Sequence, residues 1–305
     1  MRLQYSTLDV FTDKPFGGNP LAVFCDQPEL PQALMQQIAR EFNLSETVFI
    51  VPARDARALR RLRIFTPGGE LPFAGHPTIG TAHFLVESGI AAGVGAPSEF
   101  SLELEVGLVR IQVTPRESGP PFIQLTAARL PERGPPAPAA ADLARLLSVE
   151  PDDLASTGEV AESWSCGVPF LFVPVRDRAA LARARPDTGA WSRVLRNAGT
   201  SKTFVFCRDP ELPGSHVRAR MFAPEIGVPE DPATGSAAAA LAGYLARRES
   251  IETGTCRWIV EQGFEMGRPS LLHVEADKSA GKVTAVRVGG TAVRMSEGTL
   301  FVEHR

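Results

Sequence analysis

Three side chains in this 305-residue sequence stand where proton chemistry could be done: Glu46, His76 and Asp231. They lie in the short segments NLSETVFI, GHPTIG and EDPATGSA, the last two rich in Gly, Pro and Thr. A carboxylate just before the apolar run TVFIV can be partly buried, and lost hydration would raise its pKa and fit it to take up and return a proton. Taken alone, Glu46 reads equally as an ordinary charged residue at a strand edge, and that alternative stays open here. His76 and Asp231 stand at the entries of two helices whose first turns offer unpaired amides and a positive dipole end, a setting for a carboxylate or an oxyanion. Gly75, Gly235 and Ser236 line those entries, although each Gly and Pro there could also do no more than shape a turn. His83, in an apolar helix, reads as a satisfied packing residue. His216, His273 and His304 complete no HExxH or other metal-ligand spacing.

Other chemistries lack their residues. The four cysteines, Cys25, Cys166, Cys207 and Cys256, form no CxxC pair and read as buried thiols of a reducing compartment. There is no GxSxG elbow, no GxGxxG and no Walker loop, so neither a serine hydrolase nor a dinucleotide or P-loop site is written in the chain. With 32 basic and 35 acidic residues the net charge is -3, which supplies no positive field for a nucleic-acid backbone or an anionic membrane. The opening MRLQYSTLDVF lacks the apolar run of a signal peptide, and no stretch is long and apolar enough to span a bilayer, so a cytoplasmic protein is expected.

The elements that must position these residues occur twice. FGGNPLAVF and WSCGVPFLFVPV each place a Gly-x-Pro turn before a short apolar strand. NLSETVFI and GTSKTFVFCR share Ser-x-Thr before a strand, with Ser45 and Ser201 standing 156 residues apart and Glu46 facing Lys202 in the match. LRIFTPGGELP and VRARMFAPEIGVP each join a strand to a Pro-closed loop. GHPTIGTAHFLVESG and EDPATGSAAAALAGYLARRE then supply two helices, with Pro77 matched to Pro232 and His76 to Asp231. Four matches in order imply two half-molecules of one topology. Pseudo-twofold packing would then bring His76 and Asp231 to opposite sides of one cleft.

Each half reads as mixed α/β. A helix is expected over LPQALMQQIAREF from the spacing of Leu34, Ile38 and Phe42, and another from Pro77, at the first helical position, to Gly89. The latter is apolar almost all round and should be buried inside a curved sheet. SEFSLELEVGLVRIQVTP alternates at period two and reads as a hairpin turning near Val106 and Gly107. The Pro and Ala rich stretch after Pro131 marks the crossover, giving domains at 1–130 and 131–290 and a terminal strand, 291–305, returning to the first.

NLSET, GHPTIG and EDPATGSA, with DVFT and GGNPLAV, together resemble the PhzF-like isomerase family of the diaminopimelate epimerase-like fold, over nearly the whole chain. The resemblance implies two pseudo-symmetric α/β domains, each a curved, mostly antiparallel sheet around a central buried helix. It implies Glu46 as general acid and base, His76 and Asp231 as catalytic partners that hold and assist the substrate, and Gly75, Gly235 and Ser236 as substrate-binding positions. Epimerases of this fold use two cysteines at the helix entries, which here carry Gly75-His76 and Glu230-Asp231, so two-thiol racemisation is not expected. Arg268, in EQGFEMGRPS, is a candidate partner for a substrate carboxylate, or simply a solvent-facing arginine. No cofactor and no metal are implied; homodimerisation is implied by the resemblance alone.

The expected function is a cofactor-independent isomerase moving a proton on a small anionic, carboxylate-bearing metabolite, similar to trans-2,3-dihydro-3-hydroxyanthranilate isomerase. Two alternatives stand beside it: a hydrolase or lyase in which Glu46 or Asp231 activates water or expels a leaving group, and a noncatalytic metabolite-binding protein.

Overall fold

The computed structural model describes residues 1–25, 30–93, 95–154 and 159–302. The chain divides into two compact units, Met1–Ala128 with Gly289–Arg305, and Arg129–Val288.

In the first unit β1 (Arg2–Val10) and β2 (Asn19–Phe24) are followed by α1 (Gln32–Phe42), β3 (Glu46–Val51), β4 (Arg60–Phe65), β5 (Glu70–Leu71), α2 (Gly75–Glu87), β6 (Ser98–Leu104), β7 (Gly107–Thr114) and β8 (Phe122–Thr126). The second unit carries β9 (Glu132–Arg133), α3 (Ala140–Leu147), β10 (Glu162–Ser165), β11 (Pro169–Pro174), α4 (Arg178–Arg183), α5 (Thr188–Leu195), β12 (Thr203–Cys207), β13 (Val217–Ala223), β14 (Val228–Asp231), α6 (Gly235–Ala246), β15 (Gly254–Gln262), β16 (Ser270–Ser279) and most of β17 (Lys282–Gly290). The last strand, β18 (Ala292–Phe301), belongs to the first unit and pairs antiparallel with β1 along its whole length.

The halves share one strand plan. β1 is antiparallel to β2, β2 parallel to β3, β3 antiparallel to β4, and β4 parallel to β6. The second unit repeats this as β10 with β11, β11 with β12, β12 with β13 and β13 with β15, each in the same sense. A parallel neighbour needs a long crossover. α1 makes it between β2 and β3, while α2 and α6 make it between β4 and β6 and between β13 and β15.

Composition decides which face each helix shows. α1 is amphipathic: Met35, Ile38 and Ala39 are buried against Phe24, Phe49 and Phe65 of the sheet, and its end is closed by Asn43 in the left-handed region. α3, α4 and α5 pack one apolar face each on β11 to β13 through Leu147, Leu181 and Trp191. α2 and α6 are apolar all round and buried all round, from Gly75 to Val86 and from Ala237 to Ala246. These are the two central helices around which the sheets close.

The period-two expectation holds for β6 and β7, which pair from Ser98–Val113 to Leu104–Gly107 around a two-residue turn, with Gly107 at φ 113°. Two local expectations are corrected. α2 begins at Gly75, so Pro77 is the third helical residue; it still lies in the first turn, where no intrahelical amide bond is lost. Cys25 is only partly buried, unlike Cys166, Cys207 and Cys256, because it sits just past the end of β2 where the ladder stops.

Candidate active site

In the first unit the fold brings Glu46 and His76 together. Glu46 is the first residue of β3, paired with Leu21 of the parallel strand β2. Its side chain is 14% exposed, and its Oε2 lies 3.4 Å from Nε2 of His76. His76 is the second residue of α2, uncapped by any side chain at Ala74, and its other ring nitrogen, Nδ1, is 3.2 Å from the amide Nδ2 of Asn19 at the start of β2. Asn19 and His76 are both buried. Burial pushes the His76 imidazolium down to a pKa of about 3, so the ring is neutral at physiological pH. With the Asn19 amide donating to Nδ1, the single ring proton sits on Nε2, which lies 3.4 Å from Glu46 Oε2 without a formed hydrogen bond between the two atoms.

That arrangement suits a carboxylate that must cycle. A cationic histidine would hold Glu46 as an ion pair and depress its basicity; a neutral ring at 3.4 Å sets no full opposing charge beside the carboxylate. Asn19 was not singled out from sequence. Its signal is faint: a polar residue at the Gly-x-Pro turn that opens an otherwise apolar strand.

In the second unit Asp231 ends β14 and closes a tight polar network with the entry of α6. Its Oδ2 accepts the Thr234 hydroxyl at 2.6 Å, and its backbone carbonyl accepts Nε2 of Gln262 at 2.7 Å. Gln262 also accepts the Thr234 amide through Oε1 at 3.0 Å and donates to the Thr234 hydroxyl at 2.9 Å. All three side chains are buried. Gln262, at the end of β15, is therefore the clamp on this turn; it lies in the same EQGFEMGRPS segment as Arg268, and its clamping role is a tertiary fact.

Gly235 and Ser236 form the first turn of α6, which no side chain caps. Arg268 lies half-buried on the loop after β15, its amide bonded to the Gly263 carbonyl at 2.9 Å. Gly263, at φ 78°, lets that loop close over Pro232, since a Cβ there would meet the carbonyl oxygens of both Arg268 and Pro232. The Arg268 backbone thus borders the turn that carries Asp231.

The repeat match of His76 with Asp231 is corrected by strand register. Thr47 pairs with Phe65, and Thr203 with Phe222, so these are equivalent residues of the two units. One step on, Ile64 pairs with Leu71 while Met221 pairs with Asp231. Asp231 is therefore the counterpart of Leu71, and the counterpart of His76 at the second residue of the central helix is Ser236. The second half carries extra residues in the turn between β13 and β14, which slid the sequence match while preserving its motif. The same shift puts Gly75 over Gly235 and Pro72, rather than Pro77, over Pro232, while Glu46 stays over Lys202.

Among the described residues no group of three or more His, Cys, Asp or Glu could hold a metal ion, and no helix is long and apolar enough to cross a membrane. His83 departs from the expected satisfied packing residue: it is buried, yet neither ring nitrogen has a hydrogen-bond partner.

The chain as a whole matches a family. Residues 8–298 match the model of the phenazine biosynthesis-like proteins. An uncharacterized isomerase of Mesorhizobium japonicum is 40% identical over 304 residues, covering 98% of each chain. The trans-2,3-dihydro-3-hydroxyanthranilate isomerase of Pseudomonas fluorescens is 38% identical, covering 98% of this chain and 99% of its own. The crystal structure of a PhzF-family phenazine biosynthesis protein of Bacillus anthracis superposes with a TM-score of 0.89 at 27% identity, over 99% of this chain and 100% of the other. The chain belongs to the phenazine biosynthesis-like (PhzF) family, in the diaminopimelate epimerase-like fold, and is an enzyme of the isomerase type.

Proposed function

We propose that the protein is a cofactor-independent isomerase that moves one proton between carbon atoms of a small carboxylate-bearing metabolite, with Glu46 as the shuttle. The observation that carries this reading is the Glu46 carboxylate held 3.4 Å from a buried, neutral His76. Glu46 takes the proton from an acidic C–H, the electron pair delocalises into the adjacent unsaturated system, and the same carboxyl returns the proton to a second carbon. Atoms and charge balance without a co-reactant. The uncapped starts of α2 and α6, at Gly75 and at Gly235 and Ser236, favour a substrate carboxylate through exposed amides and the helix dipole. Asp231, fixed by Thr234 and Gln262, is proposed as a polar partner of the substrate, and Arg268 as a carboxylate partner.

The relatives named as trans-2,3-dihydro-3-hydroxyanthranilate isomerases make that compound the first substrate to test. With it, Glu46→Gln should lower kcat by 10²-fold or more, the usual share of general acid and base catalysis. The product should keep the substrate's mass in water and gain one deuterium at the receiving carbon in D2O if the carboxyl exchanges with solvent. A Glu46→Gln protein with full turnover removes the assignment, and a product differing by the mass of water replaces isomerisation with hydrolysis or elimination.

A further inference from the structure

Lys202 has no part in the chemistry assigned to Glu46, yet it occupies the equivalent place in the second unit, immediately before β12. Its backbone is fixed on both sides: the amide donates to the Thr200 hydroxyl at 3.0 Å, and the carbonyl accepts the Leu171 amide at 2.9 Å. The side chain is different. The residue is only partly exposed, and its ammonium makes no hydrogen bond or ion pair among the described residues, while Nζ keeps contact with solvent. Burial lowers its pKa below the usual lysine value. A partly desolvated charge without a partner is costly, and an anion beside it would offset that cost.

Strand alternation sets the side on which Lys202 stands. Val205 and Cys207 belong to the core cluster under α3, α4 and α5. Phe206 instead meets the Tyr244 ring of α6 edge-on at 5.3 Å, and Phe204 packs on Phe172, which also lies against Tyr244. Lys202 is in phase with Phe204 and Phe206, on the α6 side of the sheet. β12 is antiparallel to β13, and α6 runs back between the parallel strands β13 and β15, so β12 and α6 share one direction. Four residues of strand span about 13 Å and eight residues of helix about 12 Å. Back from the Phe206–Tyr244 contact, Lys202 and Ser236 therefore lie level with one another. The first unit shows the same two positions in contact: Glu46 and His76, the equivalents of Lys202 and Ser236, approach to 3.4 Å. Ser236 is the one residue of α6 that is not buried, and its hydroxyl makes no hydrogen bond among the described residues.

We propose that Lys202 is the cation that binds the substrate carboxylate, together with the Ser236 hydroxyl, and so restricts the enzyme to ligands with a free carboxylate. This rests on the reading of the α6 entry as the seat of that carboxylate. The helix amides and dipole supply partial charges there; Lys202 supplies a full one, and a hydrogen bond from it to the carboxylate is charge-assisted.

The test is calorimetric titration of the full-length protein with anthranilate, the aromatic parent of the compound named for the relatives, and with its neutral amide, 2-aminobenzamide. The two ligands are alike in shape and differ in charge. The wild type should bind anthranilate with Kd at or below about 1 mM and at least about tenfold tighter than the amide, the usual worth of a hydrogen bond to a charged group. Lys202→Met, or Lys202→Gln should that variant not fold, should lose this preference while binding the amide as the wild type does, and Lys202→Arg, which keeps the charge, should retain it. A preference that survives Lys202→Met, or an equal loss of both ligands, overturns the role of Lys202 and leaves the carboxylate seat standing. Equal binding of both ligands by the wild type, or no saturable binding of anthranilate up to about 10 mM, overturns the seat as well. None of these results bears on Glu46, whose role is decided by turnover.

Discussion

Two histidines on one helix show how burial turns a common residue into different devices. His76 and His83 have ordinary values of 6.5, and burial brings them to about 3 and about 4. His76 has a use for its neutrality: its Nε2 lies 3.4 Å from the Glu46 carboxylate and its Nδ1 takes the Asn19 amide. Both folded values lie below the unfolded one, so the unfolded chain binds protons first as the pH falls. Stability is thus unaffected by these rings above about pH 7 and declines as pH drops from 6.5 toward 4. Between pH 7 and pH 5 each ring should remove about 2 kcal/mol, at about 1.36 kcal/mol per pH unit below 6.5. Urea unfolding at the two pH values checks this, and His83→Gln should lose one ring's share of the difference. A pH-independent stability over that range would mean that the rings are hydrated. A carboxylate in NLSET and a histidine in GHPTIG were legible as candidates from sequence; the tautomer set by Asn19 was not, because it depends on two segments meeting across the unit.

The central helices show composition and packing pulling against each other. Half of α6 is alanine, which allows the surrounding strands to approach closely, and Gly243 brings them closer still. A Cβ at Gly243 would run into the Pro131 ring, with Cγ at 2.7 Å, and lie 3.1 Å from the Trp164 ring. Helix propensity alone predicts that Gly243→Ala stabilises by up to about 1 kcal/mol. Overpacking a filled core costs about 1–3 kcal/mol, and Pro131, a rigid ring, cannot swing away. The net expectation is therefore a lower Tm for Gly243→Ala, measurable by thermal unfolding; an increase would show that the Pro131 segment yields. The same element illustrates what sequence could deliver. An apolar helix was expected from ATGSAAAALAGYLARR, whereas α4 and α5 were not foreseen, since RAALAR and TGAWSRVL are too short to display a period.

At the scale of the whole chain the main fact is a repeat interrupted by a return. Each unit holds a sheet of the same pairing plan around one buried helix, and β18 comes back to the first unit after the second is complete. Its register, from Arg2–Phe301 to Val10–Ala292, covers all of β1. A chain ending at Val288 should therefore leave β1 as an open edge and uncover Leu3 and Val10, which are fully buried in the intact protein. Limited proteolysis of that truncation should cleave within residues 1–128 first, while residues 129–288, which keep the cluster running from Leu143 to Phe222 and the buried helix α6, persist. Equal resistance of both segments would show that β18 is dispensable.

The sequence by itself determined the class of the molecule: a doubled α/β chain with two apolar central helices, and the short polar motifs at their entries. Those properties are local, carried by periodicity of two or 3.6 and by Gly and Pro placement, and so they are visible in one dimension. Only the tertiary structure decided which polar atoms meet. Strand register moved Asp231 from the place of His76 to that of Leu71 and put Ser236 opposite His76. It also joined Asn19 to His76 and closed Gln262 on Asp231. An insertion of a few residues between two strands leaves a motif readable but shifts its partner, because pairing is fixed by backbone hydrogen bonds between strands rather than by distance along the chain.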